Sequence, residues 1–202
     1  MMSKTHITMG VAVSMLVTHP ESPETCLLSI AGGAIGGVLA DIDTLKNDSS
    51  DKDALIGQLI SLGVSVVVFA LDYFLNLGTC RSIALRDKTE LIIGLVIYIG
   101  LWVVGFITKH RTFTHTLLAT ILFSAAIYMI CPQLLIPFAA GYLTHLLLDL
   151  LNKKDIQLFF PLKPKFCFKL CYAAGTANTV LMFVGLGGSV FLVLNSLLFK
   201  LF

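Results

Sequence analysis

Apolar residues gather into seven blocks parted by short polar stretches, and each block predicts a helix. The blocks cover about 5–18, 25–40, 54–77, 89–108, 115–131, 134–151 and 174–199. A membrane-spanning helix needs roughly 20 consecutive apolar residues, so the third, fourth and seventh blocks predict full spans. The fifth and sixth are tighter, hinge at Pro132, and are also read as spans. The first two are short and predict a helical hairpin that does not cross fully. The second carries the small-residue run Ala31, Gly32, Gly33, Ala34. The expected fold is therefore all-α: a polytopic transmembrane bundle of about five full spans plus an N-terminal short helical pair. Residues 1–202 form a single integral membrane domain in this reading.

Composition agrees with that pattern. The chain is 56% hydrophobic and only 13% charged, where soluble domains carry about 25% charged residues. Mean hydropathy is +0.89. The first apolar block is broken by polar residues and lacks a small-residue cleavage site, so it does not read as a signal peptide. No soluble domain, repeat or low-complexity tract is visible, and no nucleic-acid partner is expected. The five cysteines are an odd number and give no disulfide framework. Cys167 and Cys171 would share a helical face only if their loop were helical.

Alternating the crossings sorts the polar residues. With the N-terminus on one side, that side receives Lys4, Lys46, Lys52, Lys109, Arg111, Lys153, Lys154, Lys163, Lys165 and Lys169. The other side receives Arg81, Arg86, Lys88 and Lys200. Basic residues concentrate in cytoplasmic loops, so the N-terminal side is expected to be cytoplasmic. The same side collects His6, Asp41, Asp43, His110, His115, His145 and Asp149, while His19 falls on the other. A metal site at one membrane face, built from helix ends, follows from this convergence.

The local spacings suit metal ligation. His145 and Asp149 are four apart on an expected helix and share a face. Asp41 and Asp43 are two apart, so both can reach one site from a non-helical turn. His110 and His115 flank a break between helices. Imidazole with carboxylate suits Zn²⁺, with Mn²⁺ or Fe²⁺ as alternatives. Seven candidates exceed one tetrahedral site, so two or more ions, or supporting acid–base groups, are implied. Arg111 beside such ligands suits a phosphate oxygen, and one aspartate, Asp43 among them, is a candidate base.

Each element also has a plainer reading. His6 can be an interfacial polar residue, Asp41 and Asp43 helix-capping acids, and Arg111 an interface anchor. Asp149 is harder to explain this way, because an ionisable group within a span is costly and usually functional. Asp72 lies far from the cluster and is read as satisfying neighbouring backbone. Residues 155–172 alternate aromatics and lysines, which suits either contact with anionic lipid headgroups or an ordinary positive-inside loop.

Four short pieces then carry a resemblance. They are Thr5-His6, Val38 through Asp43, His110-Arg111-Thr112-Phe113-Thr114-His115-Thr116, and Gly141 through Asp149. In order and spacing they resemble the YdjM-type inner-membrane proteins, described as membrane-bound metal-dependent hydrolases. The resemblance runs from residue 5 to about residue 161. That family in turn looks distantly similar to zinc-dependent phospholipase C and P1-type nucleases. The resemblance implies a bacterial inner-membrane, multi-pass enzyme that hydrolyses a phosphoester, with membrane lipids as partners and candidate substrate. This chain has Ala40 where the family usually has Pro, Thr112 for Gly and Thr116 for Ser. Its stretch Leu150 to Asp155 also replaces a Thr-containing, Gly-bearing turn, and every proposed ligand remains. The rival readings are a non-catalytic metal-binding membrane protein, a transporter, and a metal-independent lipid phosphatase. The last is disfavoured because its Ser-Arg and Pro-Ser-Gly-His blocks are absent. Transport is disfavoured because transporter sites lie near the midplane.

Overall fold

The computed structural model describes residues 1–47 and 52–198. These residues fold into nine α-helices: α1 (Ser3–Thr18), α2 (Pro23–Leu39), α3 (Thr44–Asn47), α4 (Lys52–Leu75), α5 (Thr79–Ala84), α6 (Lys88–Ile107), α7 (Leu117–Ile130), α8 (Leu135–Leu150) and α9 (Thr176–Leu198). Three 3-10 turns, Ala40–Asp43, Phe113–His115 and Pro132–Leu134, join them. The seven blocks correspond to α1, α2, α4, α6, α7, α8 and α9. Lys200, counted with the far-side bases, lies outside the described residues.

The helix ends follow local chemistry. Ser22 and Thr25 form a reciprocal capping box, and Pro23 enters the first turn of α2, where its missing N–H costs nothing. Thr116 caps α7 by accepting the Ala119 N–H at 2.9 Å. Asp87 caps α6, and the Glu90 and Thr89 N–H groups it accepts hold its carboxyl below the usual range. His19 ends α1 in the left-handed region at φ 44°.

Five helical segments are long and apolar enough to cross a membrane: Pro23–Asp43, Lys52–Leu75, Lys88–Ile107, Pro132–Leu150 and Thr176–Ser196. The second block thus reaches 21 residues because the Ala40–Asp43 turn continues α2. The fifth, α7, has 14 residues and falls short. Hydropathy read the second block as short because the polar Asp41 and Asp43 lie inside its last turn.

Packing divides the bundle. α2 sits at the centre, against α1, α4 and α8, while α9 lies on α1 and α6 lies on α7. The α1–α2–α8 contacts are made backbone to backbone. A Cβ on Gly33 would lie 2.6 Å from the Gly10 carbonyl oxygen and 2.7 Å from Val11 Cα. One on Gly36 would meet the Phe138 carbonyl oxygen and come within 2.7 Å of the Tyr142 nitrogen. Small residues permit this approach in membrane bundles. By contrast, α4, α6 and α9 expose Val66, Val67, Phe74, Ile92, Val96, Ile99, Phe183, Val184 and Phe191. Soluble monomers rarely expose apolar faces of that extent.

The 151–175 segment has no helix. It folds back through isolated bridges between Asn152 and Cys171 and between Ile156 and Phe166. The conditional helical pairing of Cys167 with Cys171 therefore does not arise. Cys167 Sγ bonds Asp155 at 2.8 Å, and Cys171 Sγ bonds the Leu151 carbonyl at 3.3 Å. Asp72 accepts the Thr79 and Cys80 N–H groups at 3.0 and 2.7 Å, as its backbone-satisfying reading expects.

Candidate metal centre

The seven candidate residues arrive from four helix ends. His6 stands in the opening turns of α1, Asp41 and Asp43 in the turn after α2, and His110 and His115 between α6 and α7. His145 and Asp149 occupy the closing turns of α8. The glycine seams explain the meeting: with α1, α2 and α8 at backbone contact, side chains at matching heights face one another. All but His110 are buried; His115, His145 and Asp43 have no measurable exposure.

The two central imidazoles have assigned directions. His145 Nδ1 lies 2.8 Å from the Gly37 carbonyl oxygen. A carbonyl only accepts, so Nδ1 donates and, in the neutral ring, Nε2 keeps its lone pair. His115 Nδ1 faces Asp43 Oδ2 at 3.3 Å and Thr114 Oγ1 at 3.2 Å. The Thr114 hydroxyl proton is spent on Asp43 at 2.7 Å, so both neighbours of His115 Nδ1 are acceptors. Its Nε2 is bare by the same argument. The two Nε2 atoms face each other at 3.3 Å. Two lone pairs so placed repel unless a cation, a proton or a metal ion, lies between or beside them.

Carboxylates converge on the same point. Asp41 Oδ1 is 3.7 Å from the Nε2 of both His115 and His145. Asp149 Oδ2 is 3.5 Å from His115 Nε2, and Asp149 Oδ1 is 3.5 Å from His6 Nε2. The His6 ring stacks on His145 at 3.9 Å, and neither of its nitrogens has a hydrogen-bond partner among the described residues. Three overlapping groups could hold a metal ion: His6 with Asp41 and His145, His115 with His145 and Asp149, and Asp43 with His110 and His115.

The remaining candidates surround this centre. Asp43 Oδ1 meets His110 Nδ1 at 2.8 Å, and Asp43 Oδ2 accepts the Arg111 N–H at 3.0 Å. Both oxygens are thus engaged in holding the 110–115 turn. His110 lies on the outer side of Asp43, with its side chain 31% exposed. Arg111, at φ 64°, sends its guanidinium to Asp149 Oδ2 at 2.9 Å and to the Lys154 carbonyl at 2.8 Å. The Met1 amino group also reaches Asp149 Oδ1, at 2.7 Å. A polar cavity of about 120 Å³ opens beside the centre, lined in part by Asp41, His110, Arg111, Asn152 and Lys154.

Sequence reasoning missed three supports. Thr114 fixes Asp43 and His115, and its own carbonyl accepts the buried Tyr142 hydroxyl at 2.6 Å. The Gly37 carbonyl orients His145. Asn152, buried at 2% exposure, lines the cavity. The repeated Thr in the 110–116 piece and the Tyr in the 141–149 piece point to the first of them, Thr114 and its Tyr142 partner; the other two have no such signal.

The family model described as YdjM inner membrane protein matches residues 1–201. No curated protein and no solved structure matches the chain.

Proposed function

Since the chain belongs to the YdjM inner membrane protein family, we propose that it is a membrane-bound, metal-dependent hydrolase acting on a phosphoester bond of a membrane lipid. The observation that carries the reading is the pair of Nε2 atoms of His115 and His145 facing at 3.3 Å, with Asp41 and Asp149 oxygens beside them. Tetrahedral ligands at Zn–N and Zn–O distances stand about 3.3–3.4 Å apart. The measured separations of 3.3, 3.5 and 3.7 Å lie near that spacing. Zn²⁺ is accordingly the favoured ion.

Such an ion supplies Lewis-acid chemistry and an acidified water. The protein's own residues do the rest. The Gly37 carbonyl and Asp43 hold His145 and His115 in the ligating tautomer, the orienting role that supports many metal sites. Because both its oxygens are occupied, Asp43 is assigned to positioning. Asp41 lines the cavity and is the carboxylate placed to accept a proton from water. Arg111 stands ready to stabilise negative charge on a phosphoryl group.

The lipid assignment draws on placement. The ligands sit at helix ends in a bundle whose outer faces are apolar, which supports a site near headgroup depth. The excess of Lys and Arg in the loops of the same side supports a cytoplasmic site. The adjoining loop exposes Phe159, Phe166, Phe168 and Tyr172 among Lys163, Lys165 and Lys169, which suits anionic headgroups.

The test is a panel of phospholipids presented to detergent-purified protein, with and without a chelator. Release of headgroup or phosphate, lost on chelation and restored by Zn²⁺, is expected. Hydrolysis that ignores the chelator would instead mark a metal-independent lipid phosphatase. Bound metal without turnover on any lipid would mark a non-catalytic metal-binding protein.

A further inference from the structure

The outer surface of the bundle is hollowed between α7 and α8. Two stripes line the hollow: Leu117, Ile121 and Ala125 on α7, and Leu135, Ala139 and Leu143 on α8. Each repeats every fourth residue and so keeps to one side of its helix. The two alanines are the smallest side chains of the stripes and leave the most room between them. The groove has a volume of about 730 Å³, and no charged residue lines it among those described. Ile121 and Tyr128 are exposed along it, and the α8 stripe continues into exposed Leu147. The groove therefore opens on the apolar surface that a bilayer would cover.

Its two ends differ. Leu117 follows His115 by two residues and Leu143 precedes His145 by two, so one end lies level with the candidate metal centre. The Leu117 N–H donates to the Leu158 carbonyl at 3.1 Å, which ties that end to the loop bearing Phe159 and Lys163. Tyr128 and Leu135 mark the other end, beside the Pro132–Leu134 turn. At 1.5 Å per helical residue, Leu117 to Tyr128 covers about 17 Å, close to the ~15 Å of hydrocarbon in one leaflet. Over that length the volume gives a mean section of about 40 Å², whereas a helix with its side chains is about 10–12 Å across and needs roughly twice that section. An extended hydrocarbon chain fits; a helix does not.

We propose that the α7–α8 groove seats one acyl chain of a phospholipid from the leaflet on the ligand side, and so holds the headgroup end of that lipid beside the metal centre. This deepens the hydrolase reading and rests on it for calling the lipid a substrate; the chain seat itself stands on the shape, lining and place of the groove. Bilayer hydrocarbon is as apolar as the groove, so escape from water gives no preference for it. The preference comes from continuous van der Waals contact along the chain and from the polar groups that meet the headgroup at one end only.

The experiment is photo-crosslinking of the full chain in phosphatidylcholine nanodiscs that contain phosphatidylglycerol with a diazirine at the end of one acyl chain. Labelled peptides are read by mass spectrometry, and hydrolysis of the phospholipid panel is followed on the same samples. Labelling should concentrate near Tyr128 and Leu135 rather than spread over α4, α6 and α9. Ala139→Trp, which fills the groove, and the milder Ala125→Leu should each cut that labelling severalfold, with elution profile and metal content unchanged. Gly100→Leu, on the open face of α6, should not. Even labelling of all outer helices, or groove labelling indifferent to both filling variants, overturns the seat. So does a groove without label in protein that elutes as a dimer, since a second copy then covers it. Groove labelling that the variants abolish, with no lipid of the panel hydrolysed, keeps the seat and refutes the hydrolase. Chelator-sensitive hydrolysis with even labelling does the reverse.

Discussion

The inner helices α1, α2 and α8 and the outer helices α4, α6 and α9 are both apolar, yet they are built for opposite surroundings. Gly10, Gly33, Gly36 and Gly141 let the inner three touch backbone to backbone. Each outer helix also carries a glycine with no such role: around Gly63, Gly100 and Gly187 an added Cβ would find no atom within 4 Å, while Gly185 of α9 meets the α1 backbone as the inner glycines meet one another. The site residues follow the same division. His6, Asp41, Asp43, His145 and Asp149 belong to the inner helices or the turn that continues them, and only the 110–115 turn brings ligands from outside. Hydrophobicity alone therefore does not mark the functional core; the contact chemistry of small residues does.

Glycine substitutions break this comparison most severely. Gly33→Leu or Gly36→Leu drives a side chain into the facing backbone, and loss of monodisperse protein on size-exclusion chromatography is the expected outcome. Gly100→Leu and Gly187→Leu should leave the elution profile unchanged and raise helix propensity by up to ~1 kcal/mol. Equal tolerance in both sets would mean that the seams do not hold the bundle.

A smaller effect separates two of the buried aspartates, Asp43 and Asp72. Asp43→Asn keeps the shape but leaves His115 and His110 poorly oriented, and metal affinity should fall about 10- to 100-fold. Asp72→Asn, at the far end of α4, should leave metal affinity untouched. Competition with a chromophoric chelator measures both. Metal affinity should also fall on acidification, because protons compete for the imidazole nitrogens.

The smallest effect belongs to the exposed Arg86–Glu90 pair at the start of α6, whose side chains are 21% and 57% exposed. Glu90→Gln should change stability by less than ~0.5 kcal/mol, because a surface i, i+4 pair gains little. A larger loss in a thermal melt would show that the outer helices rely on polar contacts as well as on apolar surface.

Much of this was legible in the chain. The seven apolar blocks match seven helices to within a few residues, because block length and hydropathy are local properties. α5 was not foreseen; it has six residues, and its start is fixed by Asp72, seven residues earlier than Thr79. Block lengths also misplaced the shorter member, since the turn at Ala40–Asp43 lengthens the second segment. For the site, alternation of crossings gathered the seven candidates, and the structure brings all of them into one connected cluster. It could not separate the centre from its supports. That His110 lies outside Asp43, or that a Gly37 carbonyl aims His145, depends on backbone positions with no side-chain signature.

The most direct test is elemental analysis by mass spectrometry of the detergent-purified protein, with the His115→Ala, His145→Ala double variant beside it and its fold checked by chromatography. The account predicts stoichiometric divalent metal, zinc foremost, in the wild type and its loss from a folded variant. No metal in the wild type after incubation with zinc or manganese, or metal retained by the variant, would contradict it.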